Sequence, residues 1–131
     1  MAIFLSRAET LNIRSWKNAQ RTAYRTLRII SKIVEKKIAK SANKESVLCT
    51  YYFKTLMLWA CEERTKDFWA EHSLVPSIQQ LLIEMTEWLS TKHCCNYFIP
   101  ANNMMDHLVD TYVSCEVAAL YEASLSSKLI V

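Results

Sequence analysis

The chain of 131 residues contains no glycine, where average usage would supply about nine. Glycine alone takes left-handed and mirror backbone angles without steric cost, so tight hairpins and close backbone approaches to a ligand depend on it. Phosphate-cradling loops, dinucleotide fingerprints and nucleophile elbows are therefore excluded as self-contained sites. Only Pro76 and Pro100 interrupt the chain further. An all-α fold follows, a single compact bundle of four to five helices. With 51% hydrophobic and 22% charged residues, such a chain can bury a core without disulfide staples.

Five cysteines, at 49, 61, 94, 95 and 115, are an odd number without framework spacing, which points to reduced thiols. The apolar start meets Arg7 too soon for a signal peptide. The longest charge-free run, His93 to Met105, is 13 residues and too short to span a bilayer. A cytoplasmic or nuclear setting, away from membranes, is expected. Net charge is +3, but residues 1–44 carry +9 and residues 45–131 carry −6. That asymmetry predicts a basic face beside an acidic remainder.

Ser6 and Glu9 have capping-box spacing, predicting a short helix from Arg7 to about Ser15. A long helix follows over about 18–40, with Ala23, Leu27, Ile30, Val34 and Ile38 as its buried stripe. Ser46 caps a third helix, about 47–63, whose stretch Leu56–Cys61 is apolar all round and includes Trp59 as a core residue. Phe68 and Trp69 fold back as a plug. A fourth helix spans about 74–90 and buries Ile78, Leu81, Leu82, Met85, Trp88 and Leu89. A last helix begins near Asn103 and turns Met104, Leu108, Tyr112 and Cys115 inward.

On a second face of the long helix, Arg21, Arg25, Arg28, Lys32 and Lys36 recur at spacings of three and four. Solvated helix faces usually mix signs to relieve repulsion between neighbouring turns. Five cations in register suit a phosphate-bearing partner as well as they suit plain solvation. At the head of the third helix, Thr50, Tyr51 and Lys54 offer a hydroxyl, a stacking ring and a cation near a helix N-terminus. Spacing alone favours core roles for Tyr52 and Phe53 and a surface charge at Lys54. His93, Cys94 and Cys95 are contiguous, whereas zinc sites separate paired ligands, so no metal is expected. The pairs Glu62/Glu63, Glu84/Glu87 and Asp106/Asp110 read as solvated helix faces, and no catalytic residues are assigned.

Several stretches occur together in one order: residues 4–9 (FLSRAE), 23–28 (AYRTLR), 51–63 (YYFKTLMLWACEE), Phe68-Trp69 and 96–103 (NYFIPANN). In these the chain resembles the C-terminal helical half of the Mab-21-like family, which includes cyclic GMP-AMP synthase-like receptors. The resemblance runs over about residues 1–108. It implies the second lobe of a two-lobed nucleotidyltransferase, without the glycine-serine turn and the magnesium-holding carboxylates of the first lobe. A longer parent would use magnesium with its nucleotide; this chain by itself is expected to be no enzyme and to hold no cofactor.

By the same resemblance, Tyr51 matches a tyrosine that stacks on a base, and Thr50 and Cys49 match two serines beside it. Arg25 and Arg28 match lysines of the preceding helix, the second of which reaches the nucleotide. Lys54 belongs to the same motif. Ala2 and Phe4 stand where the family has a ligand-facing arginine and serine. Residues 14–21 lack the cysteines and histidine of the zinc thumb found in the synthase. The partners implied are a nucleotide and double-stranded nucleic acid, in a setting of innate immunity. The rival expectation is a helical adaptor that binds proteins and never meets a nucleotide.

Overall fold

The computed structural model describes residues 14–42, 50–70, 73–106, 108 and 110–125. Among these residues the secondary structure is helical: α1 (Asn18–Ala42), α2 (Thr50–Glu63), a 3-10 turn (Lys66–Trp69), α3 (Leu74–Thr91) and α4 (Asp110–Leu125). The helix expected from Arg7 to Ser15 lies almost wholly outside the described residues.

The apolar positions of each helix set how it packs. In α1 the stripe Ala23, Leu27, Ile30, Val34 and Ile38 is buried, as its spacing predicts. In α2 the buried set Tyr52, Phe53, Leu56, Met57, Leu58 and Ala60 wraps around the axis, so this helix runs through the core. Trp59 departs from expectation. It is half-buried, with its indole N–H donated to the Cys95 carbonyl at 2.9 Å and its ring edge-on to Tyr97. In α3, Ile78, Leu81, Leu82, Met85 and Leu89 are buried and Trp88 is half-buried against them.

The bundle closes by α4 lying along α3, while α1 packs across α2, α3 and α4. Lys37 and Glu122 form an exposed ion pair at 3.2 Å between α1 and α4. Trp69 is buried and Phe68 packs beside it edge-to-face, so the predicted plug exists as the 3-10 turn.

The end of α3 exposes the consequence of having no glycine. Lys92 takes the left-handed conformation, φ 51°, that normally falls to glycine after a helix. Its N–H bonds the Leu89 carbonyl and that of His93 bonds Trp88, which completes a Schellman closure.

The last helix does not begin near Asn103. The residues from 95 to 106 form a closed loop, and α4 starts at Asp110. Asn103 is withheld from helix by its own side chain, whose Oδ1 accepts the N–H of Cys94 at 2.8 Å and of Met105 at 3.1 Å. Short polar side chains that bond backbone in this way compete with helix. Asn96 does the same for Phe98 and Ile99. Cys94, just before the loop, and Met105 within it join the core, and Met104 and Leu108 pack against it as expected. The side chains of Tyr112 and Cys115 lie outside the described set.

Candidate functional site

Burying the apolar stripe of α1 turns its opposite side outward. Arg21, Arg25, Arg28, Lys32 and Lys36 are all exposed. From Arg21 to Lys36 there are fifteen helical steps, about 22 Å of helix axis at 1.5 Å per residue. A DNA duplex displays roughly thirteen charges over that length, one per ~1.7 Å.

Local contacts orient parts of this face. Arg21 donates to the Arg14 carbonyl at 3.0 Å, and the Arg28 guanidinium sits 5.7 Å above the centre of the Tyr24 ring. Lys32 meets Glu35 at 3.7 Å, an exposed pair that contributes little and is easily exchanged for another anion. Two apolar residues missed by sequence reasoning interrupt the cations. Ile29 and Ile33 are 54% and 41% exposed and line a shallow hollow with Arg25, Arg28, Lys32 and Lys36. Their i,i+4 spacing outside the buried stripe was the available signal.

At the head of α2, Tyr51 and Lys54 are both half-buried, and the Lys54 ammonium lies 5.7 Å over the Tyr51 ring. The Tyr51 carbonyl accepts the Thr55 hydroxyl at 2.9 Å. Thr50 is the first residue of α2, and its side chain and Cys49 lie outside the described set. Tyr51 is not among the residues lining the two hollows beside Arg25 and Arg28.

Contiguity decides the fate of the His93-Cys94-Cys95 cluster. Cys94 is fully buried in the core, while Cys95 stays half-buried with Sγ 3.1 Å from His93 Nε2. Among the described residues, no group of three or more His, Cys, Asp or Glu is placed to hold a metal ion. Among them too, no helix is long and apolar enough to cross a membrane.

One carboxylate departs from the solvated-face expectation. Glu84 is half-buried and paired through Oε1 with Arg64, whose guanidinium also lies 5.1 Å over the Phe68 ring. Burial pushes its carboxyl above the usual range; Arg64 opposes this, and Glu63 and Glu87 reinforce it. Glu62, Glu63 and Glu87 are exposed.

The described residues define a helical domain with a row of cations exposed on α1. Comparison with known proteins gives it a family: the chain belongs to the Mab-21 family, and the family model of the Mab-21 protein HhH/H2TH-like domain matches residues 20–119. It is similar to a protein described as mab-21-like from Drosophila melanogaster, 31% identical over 58 residues, covering 44% of this chain and 16% of that protein. A mab-21-like protein from Drosophila pseudoobscura pseudoobscura is 28% identical over 60 residues, covering 45% and 16%. The matched part is thus a small fraction of those relatives' length. No solved structure matches.

Proposed function

We propose that this domain serves as the non-catalytic helical lobe of a Mab-21-like protein, with α1 as a binding surface for double-stranded nucleic acid and the head of α2 as part of a nucleotide-contacting wall. The observation that carries the reading is the row of five exposed cations on one side of α1. Arg21, Arg25, Arg28, Lys32 and Lys36 would meet phosphates without reading bases. Tyr51, Thr50 and Lys54, with Arg25 and Arg28 from α1, would form the nucleotide side. A chain without glycine offers no phosphate-cradling turn, so nucleotidyl transfer, with its magnesium, belongs to a longer parent protein.

Binding to a fluorescently labelled duplex of about 25 base pairs tests the reading. Affinity should lie on the order of 10⁻⁴–10⁻⁶ M near physiological salt, and five phosphate contacts give a log–log salt slope of about −4.5. Replacing Arg25, Arg28 and Lys32 together by Glu should abolish binding while melting stays unchanged. Equal binding by the triple variant, or none by the parent at low salt, would reject it.

A second reading has its own support. Exposed Ile29 and Ile33 contribute nothing to a phosphate contact, but they suit a helical adaptor that docks on a protein partner.

A further inference from the structure

Two helices carry the same pair of residues at the same spacing. Trp59 and Glu63 lie one turn apart on α2, and Glu84 and Trp88 lie one turn apart on α3. Residues four apart share a helix face. The fold brings both pairs to one hollow of about 310 Å³, completed by His93, Cys95 and Pro100 from the loop after α3. We infer that this hollow is a binding site for an organic cation, an alkylammonium or guanidinium group.

Three features of the hollow select that chemistry. Its two tryptophans supply the ring type that attracts cations most strongly. Its acidic groups are Glu63 and Glu84, no lysine or arginine is among its lining residues, and Arg64 pairs with Glu84 from outside the lining. Most specifically, Glu84 Oε2 is buried with no hydrogen-bond partner among the described residues, although Arg64 satisfies Oε1. A buried carboxylate oxygen without a donor is unfavourable, and a small rotation of the half-buried Glu84 side chain toward the hollow would give it an N–H donor from a bound cation. The upward displacement of the Glu84 pKa by burial fits a carboxylate short of donors. His93 and Cys95 contact each other, Nε2 to Sγ at 3.1 Å. The cation can come free in solution or as an arginine side chain on a peptide, and both have the same head group.

Isothermal titration with three probes separates these cases: ethylguanidinium, N-acetyl-arginine methylamide, and the uncharged citrulline analogue of the latter. Both guanidinium probes should bind and the citrulline analogue should bind at least tenfold more weakly. Tighter binding of the arginine derivative than of ethylguanidinium would assign the site to a peptide-borne cation, and the reverse to a free one. E84Q should weaken binding about tenfold. Because E84Q also removes the partner of Arg64, the exposed E63Q provides a second variant, expected to weaken binding about threefold with melting unchanged. Equal binding of arginine and citrulline probes, no binding of either guanidinium, or parental affinity in folded E84Q and E63Q would overturn the assignment.

Discussion

Asn103 holds Cys94 in place from nine residues away: its Oδ1 accepts the Cys94 N–H at 2.8 Å, while its Nδ2 donates to the Lys92 carbonyl, also at 2.8 Å. One side chain thus bridges the exit of α3 and the return of the loop, beside the antiparallel bridge Cys95–Asn103. Replacing it removes these bonds from the backbone of Lys92 and of the buried Cys94, each loss costing about 1–3 kcal/mol. Asn103→Ala should therefore lower stability by about 2–4 kcal/mol in urea titration, with Asn103→Asp intermediate because it keeps the acceptor. A loss below about 1 kcal/mol would mean that the loop closes without this residue.

Lys92 makes the opposite prediction. A left-handed non-glycine residue costs about 1–2 kcal/mol, part of which glycine returns through its greater unfolded-state freedom. Lys92→Gly should raise stability by about 0.5–1 kcal/mol and melting by about 2–4 °C. An unchanged or lower melting temperature would show that the lysine side chain compensates for its backbone.

The stripe of α1, the core faces of α2 and α3 and the plug at Phe68 and Trp69 were legible in the sequence because each is a periodic pattern within one segment. What was not legible depends on contacts between segments. Apolar spacing made residues from Asn103 onward read as helix, and only the bonds to Cys94 and Lys92 reveal why it is loop. Glu84 read as solvated because Arg64 is twenty residues away. The cationic face was legible as a pattern, but nothing in its spacing ties it to Tyr51.

Trp59 follows the same logic. An all-apolar stretch predicted full burial, for which truncation to alanine costs about 3–5 kcal/mol. A half-buried ring bonded to the Cys95 carbonyl predicts something milder. Trp59→Phe keeps most of the packing and loses one hydrogen bond, so chemical denaturation should register about 1 kcal/mol. A cost of 3 kcal/mol or more would restore the core assignment.

The thiols should separate by environment. Burial pushes Cys61 up to about 12, so almost none of it is thiolate at pH 8.5. Iodoacetamide, read by peptide mass spectrometry on the native protein, should label Cys95 at least tenfold faster than Cys61. The folded state also keeps a proton on Cys61 that the unfolded state loses above about 9. This group therefore makes stability fall as pH rises from about 9 to about 12. Equal labelling of Cys61 and Cys95 would contradict its environment.

The two readings of α1 diverge at Ile29 and Ile33, since both residues are exposed and contribute little to the fold. Phosphate binding rests on the surrounding cations, so changing Ile29 and Ile33 together to Ser should leave duplex affinity within about twofold and melting nearly unchanged. The same affinity should fall steeply between 50 and 200 mM salt, by a few hundredfold if about five phosphates are neutralised. A contact that depends on burying the isoleucines behaves otherwise: it loses most of its strength on substitution and is nearly insensitive to salt. Measuring duplex binding by the parent and the double-serine variant at both salt concentrations therefore decides between cations and isoleucines. If the variant lost duplex binding while staying folded, the isoleucines would be part of the contact and a purely electrostatic α1 surface would be wrong.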